Sequence, residues 1–488
     1  MSTPTGQAIL DKLFATDLFK NMDTAALSRR YDIRHALEAA NNASPSVAPQ
    51  QQTDTTITAI PPQGILIDSP GRYQLAGDIA WSPTAPATAI TITAANVVLD
   101  LQGHTVRATV PDSTGQYKGI HLTGSSITIT NGILKGMTYY GVYATEAPGL
   151  QVSSLVIDGL TYTDTTQPLL TPCGIYIGKT DGFAVESCIV QNMSVTTPSC
   201  AGIQASNSVN GLISGCLLSN FVNDDGAVQG FSYLVAANIL TLACACENFQ
   251  SHYLGQTITS GHTVLGFIPI FCVDLTFTDC SSTNMTGCCD DCHGMSVFID
   301  AFIEVNNFTA VNVTDGVCAR STGAKATGLE VYGIGVTCNN CTVQNIRAIV
   351  PQDLQSAGFS AWGSSITFNN CTATGVQVTD ASGQPDTRYG YGVGFGWAPD
   401  PRPEFCNQPA DKVQYNGCTA SNCQLGFDTW YHTDSVWQQV NAADCPVFML
   451  VQPPGTTRTL RIDKCSESPN GQYQQVTIMN KAKNITYA

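Results

Sequence analysis

Charge is scarce in this chain. Of 488 residues only 12% are Asp, Glu, Lys or Arg, and acids outnumber bases 37 to 21, for a formal net charge of −16. The shortage of positive charge argues against nucleic acid or an anionic membrane surface as partner, since both attract basic patches. No apolar run is long enough to cross a bilayer, so no membrane span is expected. The opening Met1-Ser-Thr-Pro-Thr-Gly-Gln7 lacks the basic start and apolar stretch of a signal peptide. That favours a cytoplasmic or virion-associated protein over a secreted one. Helical periodicity is missing between the repeats, where the apolar residues alternate with period two in runs such as Ile127–Thr130, Gly174–Ile177 and Ser365–Phe368.

What is present is a repeat. A Cys is followed four residues later by an Asn at Cys188/Asn192, Cys216/Asn220, Cys244/Asn248, Cys280/Asn284, Cys341/Asn345 and Cys418/Asn422, with Phe308/Asn312 filling one slot. A variable loop follows each pair, and the next strand is expected to open near Gly174, Gly202, Gly226, Gly261, Gly294, Gly328, Gly358, Gly392 or Gly426. Units of this size cannot bury an apolar face alone and must stack. Strands that repeat in one direction form parallel sheets, and closing them without helical crossovers gives an all-β fold, a single-stranded right-handed parallel β-helix of about a dozen coils.

The span from Ile90 to Cys445, with Val97-Val-Leu-Asp-Leu-Gln-Gly-His-Thr-Val106 as an entry coil, resembles the pectin-lyase-like superfamily. The boundaries expected are a helical segment over 1–43, a linker over 44–63, the β-helix over 64–450 and capping strands over 451–488. In the first segment Ile9, Leu10, Leu13, Phe14, Leu18 and Phe19 fall at helical spacing. Two roles suit it: a plug over the open end of the solenoid, or a handle through which copies of the chain assemble.

Twenty cysteines would suggest disulfides in a small secreted protein, but a chain with this much core does not need them. Recurrence at one position of the coil predicts buried thiols stacked inside. Cys289-x-x-Cys292 and Cys338-x-x-Cys341 have the spacing of zinc ligands, yet they fall in repeat positions rather than in a compact knuckle, and neither metal nor cofactor is expected.

Chemistry is expected where the loops project. Asp224, Asp225, His262, Asp290, Asp291 and His293 lie just before or after the strand-opening glycines of three consecutive coils, an acid-base pool suited to glycoside chemistry. The Asp224-Asp225 pair, and His293-Gly294 followed by Ser296, resemble the polygalacturonase branch. That resemblance implies hydrolysis by paired carboxylates. Cys292 stands where the branch has glycine, and Arg347 has no Lys companion, so the sugar-carboxylate clamp is not matched. A lyase or epimerase variant would draw its charge neutraliser from Lys325, Arg388 or Arg402.

The run Tyr389-Gly-Tyr-Gly-Val-Gly-Phe-Gly-Trp397 alternates glycine with aromatics. Either Tyr389, Tyr391, Phe395 and Trp397 form a surface for stacking on a sugar, with Asp400, Arg402, Trp430 and His432 beside them and Trp362 near, or the rings pack inside the solenoid. Three functions remain open: an enzyme acting on a carbohydrate or other neutral ligand, a non-catalytic structural or binding fibre, and an enzyme for a small non-sugar molecule.

Overall fold

The computed structural model describes residues 54–488, apart from 165–170, 253–262, 289–290, 317–324, 350–355, 381, 387–390, 397–409, 430–431 and several short segments after 451. Residues 1–53, and with them the helical segment and most of the linker, lie outside the described residues. Thr55–Ile57, expected in the linker, is a strand paired with Gly71–Leu75.

The described residues contain no helix and form a right-handed parallel β-helix with three stacks of strands. The first stack runs from Ile65–Ile67 through Lys118–Leu122, Tyr140–Thr145, Cys173–Gly178, Val264–Ile270, Asp291–Ala301, Lys325–Ile334, Ser356–Ser364 and Val447–Val451 to Val476–Ile478. All named strand pairings are parallel, and each joins one coil to the next. A strand adding in one direction leaves its carbonyls to be taken up by the following coil, so the ladder of backbone bonds propagates without an edge until the ends. Leu460–Asp463 and Ile485–Tyr487 continue these registers, pairing in parallel with Ser435–Gln438 and with each other.

Three columns explain the repeat. The first is internal: Cys188, Cys216, Cys244, Cys280, Phe308, Cys341, Cys371 and Cys418 are buried one above another. Their carbonyls accept the amides of Leu217, Ala245, Ser281, Thr309, Thr342, Thr372, Thr419 and Asn441 in the following coils. The thiols of Cys188, Cys216, Cys244 and Cys280 donate to the carbonyl two residues back at 3.3–3.4 Å. Burial pushes the thiol of Cys200 up to about 12 and those of Cys246, Cys272 and Cys338 well above the ordinary value, so these groups stay neutral and inert.

The second column is external. Asn192, Asn220, Asn248, Asn284, Asn312 and Asn345 turn the chain with φ of 55–59°, a left-handed conformation that Asn tolerates better than other non-glycine residues. Gly375 takes that place in the coil of Cys371, with φ +66°, which hides Cys371 from a Cys/Asn pattern.

The third column is glycine. A Cβ on Gly230, Gly266, Gly294, Gly328, Gly358 or Gly394 would come within 2.3–2.8 Å of the carbonyl oxygen of the glycine one coil on. No side chain fits there, so glycine recurs inside the strands of the first stack from Lys118–Leu122 to Leu425–Asp428. The column therefore uses Gly230, Gly266 and Gly394, each a few residues after a glycine that the sequence also offers, Gly226, Gly261 and Gly392.

Aromatic rings fill the interior in the same coil-to-coil fashion. Phe395 is fully buried between Phe359 and Phe427, with ring centroids 4.7 and 5.4 Å away. Of the two readings of the Gly/aromatic run, Phe395 thus follows the internal one.

Candidate active site

The glycine column resets the register of the acid-base pool. Cys292 pairs with Val264, which pairs with Val228, so Asp291 stands level with Ala227 and two residues downstream of Asp225. Asp224 and Asp225 therefore sit in the corner before their strand instead of on its face. Asp225 is fully buried. Asp224 is partly exposed and bonds His252 Nδ1 at 3.0 Å, a partner from the next coil. His262 and Asp290 lie outside the described residues, as do Tyr389, Trp397, Asp400, Arg402 and Trp430.

Asp291 and His293 do belong together. His293 Nε2 is 3.6 Å from Asp291 Oδ1 and 3.8 Å from Glu330 Oε2, so the imidazole stands between two carboxylates. Ser296, three residues further along the same strand, donates its hydroxyl to Glu330 Oε2 at 2.9 Å. The strand of the next coil supplies the rest. Lys325, level with Asp291, pairs with Glu330 Oε1, and its ammonium lies 5.4 Å from the ring of Trp362 in the coil after that. Asp315 accepts the Lys325 backbone amide at 2.8 Å and fixes the start of the strand.

Three adjacent coils thus contribute to one polar cluster on the outward side of the first stack. His293, Ser296, Lys325 and Glu330 are all buried, whereas the Asp291 side chain keeps 21% of its surface. Burial alone would raise the Glu330 carboxyl, but Lys325 and then His293 hold it down to about 2. Glu330 is therefore a fixed carboxylate and Lys325 its counter-ion. Two polar atoms remain outside this network: among the described residues His293 Nδ1 and Thr327 Oγ1 are buried without a hydrogen-bond partner, and the two residues are paired in register.

Other expected binding residues are dispersed. Tyr391 is exposed at 39%, just before the strand Gly392–Gly396. His432 is buried and bonded through Nε2 to the Tyr415 hydroxyl at 2.9 Å, against the ring of Trp437. It belongs to the packed interior and not to a surface for stacking. Trp362 is buried beneath Lys325. Glu330 carries no motif and was invisible as a site residue; its one signal is a charge at an outward position of the strand that Lys325 begins. Among the described residues no group of three metal-binding side chains converges, and Cys338 and Cys341 both point into the core.

The fold and this cluster define a parallel β-helix with a buried polar cluster on one side of its first stack. No protein-family model matches the chain, and no curated protein matches it in sequence. Solved structures similar to it include the tailspike of Escherichia coli bacteriophage HK620 in complex with a hexasaccharide, at 12% identity over 93% of this chain and 74% of that one, with a TM-score of 0.39. The catalytic domain of a GH87 α-1,3-glucanase in complex with nigerose is similar at 11% identity over 78% and 66%, with a TM-score of 0.41. The A-module of a mannuronan C-5 epimerase from Azotobacter vinelandii is similar at 11% identity over 90% and 94%, with a TM-score of 0.30. At such identities the chemistry has to be read from this chain's own residues.

Proposed function

We propose that the protein acts on a carbohydrate by acid-base chemistry centred on Asp291 and His293. The observation that supports this is the pair of buried polar atoms left without partners among the described residues, His293 Nδ1 and Thr327 Oγ1. Each such atom costs about 1–3 kcal/mol, a cost that folded proteins seldom retain without a use. A buried ion pair such as Lys325–Glu330 adds little net stability over apolar packing, which again favours a role beyond holding the fold.

In this reading Asp291, the exposed member, exchanges a proton with a sugar hydroxyl, a glycosidic oxygen or water. His293 orients Asp291 through the contact of its Nε2 with Oδ1. Glu330 and Lys325 are positioning residues: their paired charges set the field around the imidazole without meeting the substrate.

The test is turnover of a panel of neutral and acidic oligosaccharides. Asp291→Asn should lower kcat at least about 100-fold while the melting temperature stays within a degree or two, because Asp291 is partly exposed. A parent protein that turns over no member of the panel would sink the enzymatic reading. The near-complete burial of His293, Lys325 and Glu330 would then be structural, and the chain a binding fibre.

A further inference from the structure

The outward side of the first stack carries a second polar-aromatic cluster far from Asp291. Tyr140 pairs in register with Lys118 in the coil before and with Cys173 in the coil after. The line continues through Ala201, Gln229 and Leu265 to His293. Lys118 and His293 are six steps apart on it, about 29 Å at about 4.8 Å per step. Three residues along, His121, Tyr143 and Tyr176 form a parallel row.

These side chains converge. The Lys118 ammonium lies 5.0 Å from the Tyr143 ring centroid and 5.9 Å from that of Tyr140. Tyr143 and Tyr176 stack at 5.1 Å with 15° between their planes, and His121 meets Tyr143 at 5.1 Å. Lys118, His121, Tyr143 and Tyr176 all keep part of their surface. Lys118 also lines a cleft of about 400 Å³ with Pro86, Thr88, Thr114, Gly115 and Gln116. Among the described residues no carboxylate pairs with Lys118. Burial lowers its ammonium below the usual lysine value, as it does the His121 imidazole, where Lys118 adds to the effect.

We infer that this cluster is a binding site for an acidic oligosaccharide, with Lys118 meeting a sugar carboxylate and the edges and hydroxyls of the stacked Tyr143 and Tyr176 rings lining the sugar. The argument is charge complementarity. In a chain of net charge −16, an ammonium held on a partly exposed aromatic surface beside an open cleft, with no acid opposite it, selects an anion. Paired tyrosines supply apolar contact and hydroxyls at little conformational cost, which a carbohydrate needs and a bare anion does not. The site goes beyond the acid-base centre and binds whether or not chemistry follows there.

The experiment is calorimetric titration of the full chain with trigalacturonate, with maltotriose as the neutral control. Trigalacturonate should bind at least about tenfold more tightly than maltotriose, and Lys118→Met should weaken it at least about tenfold, the worth of one charge-assisted contact. Lys118→Arg should restore binding to within about threefold, and Tyr176→Ala should weaken it with the melting temperature preserved. Equal affinity for maltotriose overturns the proposal, and so does full retention of affinity in Lys118→Met. Loss of binding in Asp291→Asn but not in Lys118→Met places the ligand at the acid-base centre, overturning this site while sparing that reading. Displacement by an equal concentration of sulfate reduces the site to an anion contact and overturns the sugar assignment.

Discussion

Two lysines on the same face of the first stack sit over aromatic rings at nearly the same distance, Lys118 5.0 Å from Tyr143 and Lys325 5.4 Å from Trp362. Among the described residues only the second is paired with a carboxylate, Glu330. Around Lys325 the face is closed and each charge has been answered from within. Around Lys118 it is open, beside a cleft, and the positive charge is answered by rings alone. A ring quadrupole attracts an ammonium but cannot neutralise it, so the first lysine remains a receptor for charge while the second is part of a preorganised field. One stack of parallel strands, its register shifted between Phe298 and Asp300, presents two different surfaces because the coil leaves outward side chains free to vary.

The largest expected effect falls on the closed cluster. Glu330→Ala takes the carboxylate away from the buried Lys325 ammonium and should cost about 3–5 kcal/mol, read from the midpoint of urea unfolding. A loss below 1 kcal/mol would mean that water reaches Lys325 and that the two faces differ less than their burial implies.

Acid provides a finer probe. The folded carboxyl of Glu330 lies near 2 against an ordinary value of 4.5. A depressed carboxylate contributes stability that is complete above its unfolded value and is lost as pH falls toward its folded one. Between about pH 5 and 2 the parent should therefore lose stability more steeply than Glu330→Gln, in melting curves recorded across that range. Parallel curves for the two proteins would show that Lys325 and His293 do not hold Glu330 ionised.

The smallest effect belongs to the open cluster. Lys118→Met should shift unfolding by no more than about 0.5 kcal/mol, since no partner is stranded. A drop comparable to that of Glu330→Ala would make Lys118 a structural residue and erase the contrast.

The parallel β-helix was legible because each constraint that builds it recurs: the alternating strands and the regularly spaced cysteines, asparagines and glycines are all visible to the eye. The register of the candidate site was less so. A glycine before a strand such as Gly226 and a column glycine such as Gly230 are the same letter four positions apart, and only the neighbouring coil tells them apart. That shift carried Asp224 and Asp225 off the face where Asp291 and His293 stand. Glu330 was missed for a different reason, since its role comes from Lys325 across Gly328 and from His293 in the preceding coil, and neither relation has a sequence motif. His432, read as a surface residue beside two aromatics, is held inside by the Tyr415 hydroxyl, a partner 17 residues earlier in the chain.

The asparagine column has an electrical polarity. Each side-chain amide donates to the oxygen of the one before it, Asn345 to Asn312, Asn312 to Asn284, Asn284 to Asn248, Asn248 to Asn220 and Asn220 to Asn192. The row is a string of aligned dipoles whose positive end points toward the start of the chain, and there Asn192 donates to Asp158 at 2.7 Å. Shorter rows end the same way, Asn238 through Asn210 on Asp181, and Asn307 on Asp279. An anion at the positive end of aligned dipoles is stabilised as it would be at the N-terminus of a helix. Asp158, lifted by burial, is nonetheless drawn below its usual range by Lys135, Asn192 and Gln191. A solenoid without helices has thereby rebuilt, in side chains on its surface, the directional field that a helix carries in its backbone.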